Sequence, residues 1–267
     1  MGFLTELGKS KKLRIIEKLR ECSMSLKELA DWNGLSVPTV SRNIRWLCDQ
    51  GIVCRHENKY QLTGFGVAIE KLLRALMDIK EFKEEIRELP GFIELLPPEI
   101  LAGMHLLRKC KVMSVEDALN VGISHIINSK QYGLYVDKII DYNIYKIMVL
   151  KNLEGVSEKI ISTRDTIFSR TSTIRRVLMD MDLSEDELDI VAEKVQIRIY
   201  DTPIQLGVID GKIGIIQLND RIDRIYVSND KDFIRWCEYL FWFLWQRSEP
   251  FDIKKMIKEI KVQKGFS

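Results

Sequence analysis

Long apolar runs are missing from this 267-residue chain. Even Tyr239 to Trp245 falls well short of the ~20 residues that cross a bilayer, so no membrane span is expected. The opening residues, MGFLTELGKSKK, lack the apolar core and small-residue cleavage site of a signal peptide. Glu6 also stands where a myristoylation signal following Gly2 needs Ser or Thr. Cysteine is sparse. Its five copies (Cys22, Cys48, Cys54, Cys110, Cys237) are scattered and odd in number, which argues against a disulfide framework. Cys48, Cys54 and His56 lie close together but match no zinc spacing, so they read as small buried or surface groups in a reducing compartment, and no metal is expected. P-loop, G-x-S-x-G, H-E-x-x-H and G-x-G-x-x-G patterns are all missing, and histidine occurs only at His56, His105 and His125. These absences point to a cytoplasmic protein that is not an enzyme and carries no cofactor.

Net charge is nearly missing too, at +2, but it is unevenly spread. Residues 1–66 hold eleven Lys and Arg against seven Asp and Glu, and the remaining chain is slightly acidic. A basic head on a near-neutral body suits contact with phosphates. Apolar content of 46% with 30% charged residues is that of a globular chain, long enough for two domains.

What is present in that head is a chain of helix signals. Leu13, Ile16 and Leu19 recur on one helical face of residues 12–21. Ser25-Leu26-Lys27-Glu28 is a capping box, in which Ser and Glu satisfy free backbone N–H groups at a helix start. Asn33-Gly34 stops that helix, Ser36 offers a second N-cap with Pro38 in the first turn, and Gly51 ends the third helix. The inward face of the third helix reads Val37, Val40, Ile44, Leu47. Two polar-tipped strands, around Ile52–Arg55 and Tyr60–Leu62, then make a wing, and Thr63 caps a long helix. This order predicts a winged helix-turn-helix whose third helix enters the major groove of double-stranded DNA. Its outer face carries Ser36, Thr39, Ser41, Arg42 and Arg45. Thr39 and Arg42 are expected at base edges, and Arg45 with the wing residues Arg55 and Lys59 at phosphates. The bland alternative is a solvated polar face on a domain that docks proteins.

The stretch from Ser25 to Gly66, with S-x-x-T-V-S-R-x-I-x-x-L, then G-I-V, then Y-x-L-T-x-x-G, resembles archaeal winged-helix regulators of the ArsR/MarR-like kind. That resemblance implies DNA binding and transcription control.

Beyond the head, an apolar stripe (Phe65, Ile69, Leu72, Leu73, Leu76, Ile79) predicts a helix from Gly64 to Leu89 ended by Pro90-Gly91, with a further helix over 92–107. Residues 67–108 are therefore expected to link and to dimerise, and a homodimer would match a two-fold operator. Residues 109–267 read as a mixed α/β regulatory domain, so the fold class is α+β/α/β. Its expected parts are a helix near Leu134–Asp141, strands at Ile144–Leu150, Val195–Ile199 and Ile225–Val227, an Asp210-Gly211 hairpin, and a closing helix Asp230–Arg247. LPPEIL, TPIQLGVIDGKIGIIQL and WCEYLFWFLWQRSEPF resemble the archaeal methanogenesis-regulator (FilR-type) family. The family implies transcription control without defining an effector.

Two features of this domain invite function. The hairpin also resembles the phospholipase-D pattern His-x-Lys-x-x-x-x-Asp-Gly, but Pro203 stands at the His position and Gln205 at the Lys position. Neither supplies a nucleophile or a cation, so a degenerate, non-catalytic relative of that sheet is as far as the pattern reaches. Arg164, Arg170, Arg175 and Arg176 could gather round an anionic small-molecule or protein effector; the alternative is a solvated helix face balanced by Glu185, Asp186 and Glu187. In the closing helix, Phe233, Trp236, Leu240, Phe243 and Leu244 suffice to pack on a sheet. Tyr239, Phe241, Trp242 and Trp245 are left over for an interface.

Overall fold

A computed structural model describes residues 2–266. The chain divides into two compact units, Met1–Lys80 and Glu81–Ser267, and each is described by itself. The segment 67–108, expected to be one linker, is thus split between them.

In the first unit, α1 (Phe3–Leu7) and α2 (Ser10–Glu21) precede α3 (Leu26–Asn33) and α4 (Val37–Asp49). The Ser25 capping box forms as expected: Ser25 N donates to Glu28 Oε2 at 2.7 Å, and Glu28 N donates to Ser25 Oγ at 3.3 Å. Gly34 takes the left-handed conformation (φ 63°) that turns the chain between α3 and α4. Ser36 occupies the N-cap of α4 without making a cap bond; its Oγ lies 2.9 Å from Thr39 Oγ1 instead. Ile15, Ile16, Leu29, Val40, Ile44, Leu47 and Ile52 form one core. Val37, expected to face inward, is 45% exposed because it opens the helix one turn before the buried stripe begins. Strands β1 (Val53–His56) and β2 (Lys59–Leu62) pair antiparallel, and α5 (Gly64–Glu81) follows. Thr63 Oγ1 accepts from Gly66 N at 3.0 Å, as its capping position requires. Gly66 is needed for close approach, since a Cβ there would sit 2.0 Å from the Ile52 carbonyl oxygen.

In the second unit, α6 (Lys83–Ile86), α7 (Pro90–Leu95), α8 (Pro98–Ala102) and a 3-10 turn (Gly103–Lys109) replace the two helices expected before residue 108. The long helix stops early because Phe82 and Glu85 are held by the sheet edge. Phe82 meets the Tyr226 ring edge-on, and Glu85 Oε1 accepts from Arg224 Nη1 at 2.6 Å and Tyr226 Oη at 2.8 Å. Pro90 opens α7 rather than closing a helix.

The elements that follow are β3 (Lys111–Met113), α9 (Val115–Ile127), β4 (Tyr132–Val136), α10 (Tyr142–Leu153) and β5 (Ser157–Ser162). Next come α11 (Ile167–Asp180), α12 (Glu185–Lys194), β6 (Val195–Ile199), β7 (Gln205–Ile209) and β8 (Ile213–Gln217). The chain finishes with β9 (Ile225–Ser228), α13 (Lys231–Trp245), β10 (Glu249–Phe251) and α14 (Ile253–Gln263). Eight strands form one sheet in the order β10-β6-β5-β4-β7-β8-β9-β3. β4, β5 and β6 run parallel to one another and every other pair is antiparallel.

Two expectations exchange places here. Residues 132–136 are a central strand buried on both faces, and Ile144–Leu150 lie within a helix. A run that is apolar all round carries no period, so the decision falls to the cap: Asp141 Oδ1 accepts from Ile144 N at 2.8 Å and starts α10.

Alternation along β8 shows how the layers are built. A Cβ on Gly214 would press on Phe233 of α13, whereas Ile215, one residue on, reaches Gly122 of α9. Helix α13 therefore covers one face, while α9, α10, α11, α12 and α14 share the core of the other. On α13, Phe241 and Trp245 are buried, not surplus, and only Tyr239 and Trp242 of the aromatic excess are exposed. The reason is that Phe241 and Trp245 continue the row of Phe233 and Cys237 that lies against the sheet, Arg198 of β6 standing over the Trp245 ring, while Trp236 turns to α8, its Nε1 donating to Ile100 O at 2.9 Å.

Candidate nucleic-acid interface

Helix α4 buries Val40, Ile44 and Leu47, packs Trp46 and Cys48 partly against the same core, and turns its polar side chains outward. Arg42 and Arg45 are exposed, Thr39 and Ser41 half-buried, and no acidic residue interrupts the helix before Asp49. Neither arginine makes an ion pair among the described residues. Several other basic side chains of this unit are engaged: Lys9 and Lys12 with Glu6, Lys18 with Glu21, and Arg20 and Arg74 with Glu70. Arg14 and Lys18 also lie over the Trp32 ring. An exposed guanidinium with no carboxylate partner keeps its full charge for an external anion.

The β1-β2 hairpin is fixed in two ways. Sequence reasoning missed the first, a bridge in which Met24 and Tyr60 exchange backbone bonds (Tyr60 N to Met24 O 2.7 Å, Met24 N to Tyr60 O 3.1 Å). It ties β2 to the residue just before α3, and a single bridging residue leaves no alternating pattern to find. The second is Arg55, whose Nε donates to Glu57 O at 2.9 Å and whose Nη2 donates to Asn58 Oδ1 at 3.1 Å. Arg55 thus holds the turn at Glu57, where φ is 54°, while Lys59 stays exposed. Burial pushes the Cys48 thiol up, as befits a small packed group.

The second unit keeps its four arginines apart. Arg164 pairs with Asp201 and Glu249, Arg175 with Glu259, and Arg176 with Asp180. Arg170 is buried: Nη2 meets Asp137 Oδ1 at 2.6 Å and Asp137 O at 2.8 Å, Nη1 meets Tyr145 Oη at 2.9 Å, and Nε meets Ser162 Oγ at 3.0 Å. Burial works against this charge, and Asp137 and Tyr145 more than restore it. The acidic run is engaged as well, for Glu187 closes a capping box with Ser184, and Glu185 pairs with Lys261.

On the hairpin, Asp210 adopts φ 54°, and its carboxylate accepts from the backbone N–H groups of Lys130, Gln131 and Tyr132 at 2.8, 2.8 and 3.1 Å. Burial raises its pKa, but these three donors outweigh it and the net shift is downward. Gln205 Nε2 donates to Gln217 Oε1 at 2.9 Å, and Asn219 Nδ2 donates to Glu85 O at 3.2 Å. The polar groups of the phospholipase-D-like frame are thus bonded to the protein's own chain. Among the described residues, no group of three or more His, Cys, Asp or Glu is placed to hold a metal. No helix among the described residues is long and apolar enough to cross a membrane.

No curated protein matches the chain. Among solved structures, TrmBL2, described as an archaeal chromatin protein with a novel mode of DNA binding, is 16% identical over 93% of this chain and 97% of its own, with a TM-score of 0.40. NucT from Helicobacter pylori is 11% identical over 53% of this chain and 98% of its own (TM-score 0.38). Nuc from Salmonella typhimurium, a phospholipase D family member, is 12% identical over 53% and 96% (TM-score 0.35). At such scores these are likenesses and decide neither fold nor function. Residues 3–84 match the family model described as the HVO_A0261 N-terminal domain, a similarity that spans less than a third of the chain.

Proposed function

We propose that the chain is a sequence-specific, DNA-binding transcription regulator of the archaeal winged-helix kind, ArsR/MarR-like in its head and FilR-type in its C-terminal unit. The observation that carries this reading is the outer face of α4, where Arg42 and Arg45 stand exposed and out of any ion pair between small polar residues, with no acidic residue on the helix before Asp49. Read as a winged helix-turn-helix, α3 and α4 supply the two helices and β1-β2 the wing. Thr39 and Arg42 then face base edges, and Arg45 and Lys59 face phosphates. Exposed Val37, at the start of α4, joins them as an apolar contact for a thymine methyl group. Arg55 shapes the wing and reaches a phosphate only with its remaining N–H groups. The protein acts in the cytoplasm as a homodimer, and its C-terminal unit senses an effector.

Catalysis is no part of this reading, because Pro203 and Gln205 stand where a phospholipase-D-type site needs His and Lys. The test is binding to a duplex carrying the gene's own upstream region, against a scrambled duplex, across a salt series. The expected result is preference for the native duplex, with log affinity falling linearly with log salt. Arg42→Ala should cost about 1–3 kcal/mol and flatten the preference at one base step. Binding to neither duplex, with or without effector, would falsify the reading and leave a protein-docking module.

A further inference from the structure

A cavity of about 120 Å³ lies within the second unit, between α9, α10 and the sheet face that carries Gly207 and Ile215, and it is partly open to solvent. Its walls are chiefly apolar, with Leu119, Ile123, Ile144 and Met148 among them. Cavities of about 150 Å³ with such walls take up benzene, so the occupant here is a single ring or its equivalent.

The polar end of the cavity defines the rest. Asp137, Arg170, Tyr145, Gln205 and Gln217 meet there. Arg170 and Asp137 neutralise each other at 2.6 Å, and three of the remaining Arg170 N–H groups are taken by Asp137 O, Tyr145 Oη and Ser162 Oγ. Tyr145 Oη donates to Ile139 O, and Gln217 Nε2 donates to Ile222 O. Two oxygen acceptors stay unused. Asp137 Oδ1 is occupied by Arg170 and by Ile139 N, leaving Oδ2, and Gln205, whose amide nitrogen is bound to Gln217, keeps its carbonyl oxygen. An anion brought here would face two oxygen acceptors and a cation already paired. A second buried cation would have no net charge to meet it.

We propose that this cavity binds a neutral, largely apolar molecule of about one ring, carrying a hydroxyl or comparable hydrogen-bond donor that meets Asp137 and Gln205. The proposal rests on reading the C-terminal unit as the sensing part, and it replaces the anionic effector that four neighbouring arginines suggest in the sequence.

The test is a titration of the full-length protein with phenol, toluene and benzoate, followed by methyl-resolved NMR on Ile, Leu and Met. Phenol should perturb Ile123, Ile144 and Met148 and bind roughly tenfold more tightly than benzoate, with toluene between them. Gly122→Leu fills the cavity from α9, where an added Cβ makes an ordinary contact at 3.5 Å with Ile215. A helix accepts leucine more readily than glycine, so this variant should fold and lose the phenol perturbations. The proposal fails if phenol leaves those methyls unmoved up to its solubility. It fails equally if benzoate matches phenol, or if Gly122→Leu binds as the natural chain does. A DNA titration with and without phenol separates the two ideas. Phenol bound in the cavity without a change in DNA affinity upholds the cavity assignment and counts against the regulatory reading.

Discussion

Glu158 shows how much a single side chain can impose on the molecule. It lies on β5 opposite Gly133 of β4, wholly enclosed, and burial pushes its carboxyl up to about 8, with the nearby Asn152 amide offsetting only part of the rise. The folded chain therefore keeps a proton that the unfolded chain releases near its ordinary 4.5. The sign follows from linkage. The folded state binds more protons between about 4.5 and about 8, so unfolding free energy falls as pH rises through that window. The loss is complete above the upper value and is on the order of several kcal/mol. Urea midpoints measured at pH 5, 7 and 9 should decline for the natural chain and stay nearly level for Glu158→Gln. Parallel declines in both would assign the proton to another group. Nothing in the sequence flags Glu158, because a lone acid inside SEKIIS reads as an outward-facing strand residue. Only the neighbours on both sides of β5 reveal its burial. Arg170 escapes sequence reading for the same reason: its number can be read, but its carboxylate partner comes from a separate strand end.

Elements were legible wherever a local signal decided them. The Ser25 capping box, the Gly34 turn, the wing hairpin, the Asp210-Gly211 hairpin and the start of α13 at Asp230 each rest on a residue acting on its own neighbours. Legibility ended where tertiary contacts chose. The stretch 132–150 breaks into short apolar runs with few polar residues between them, so period could not separate β4 from α10. The helix expected to reach Leu89 is cut at Glu81 because Phe82 and Glu85 find partners on β9 and its approach. The hairpin turn itself has a role that pattern could not express. Asp210 fastens the segment leading into β4 through three backbone donors, which Asp210→Ala would strand. That substitution should lower unfolding free energy by about 2–4 kcal/mol in urea titrations. Asp210→Asn, which keeps an acceptor and tolerates the positive φ, should lose less.

At the scale of the whole molecule, the first unit has an unsatisfied surface. Along α5, Phe65, Leu72, Leu76 and Met77 are all more than half exposed, with Leu72 at 63% and Leu76 at 64%. An apolar stripe of this length calls for a partner, and in the proposed homodimer that partner is a second copy of the chain, related by two-fold symmetry. Sedimentation should show a dimer for the natural chain. The double change Leu72→Glu, Leu76→Glu should raise its dissociation constant by roughly a hundredfold or more. A monomer at all accessible concentrations for the natural chain would remove the symmetric arrangement from the proposal.

The strand order carries a consequence in time. In the first unit β1 and β2 pair across a tight turn and the longest bridge, Met24 with Tyr60, stays within the first 60 residues, whereas β3 waits for β9, since Lys111 pairs with Val227, and β6 waits for β10, since Ile199 pairs with Glu249. Distant pairings are slow because a long loop must close before any contact rewards it. During synthesis the helix-and-wing unit can be complete while both rims of the sheet are still open. A nascent chain therefore presents a finished first unit while the sheet of the second still has both outer strands unpaired.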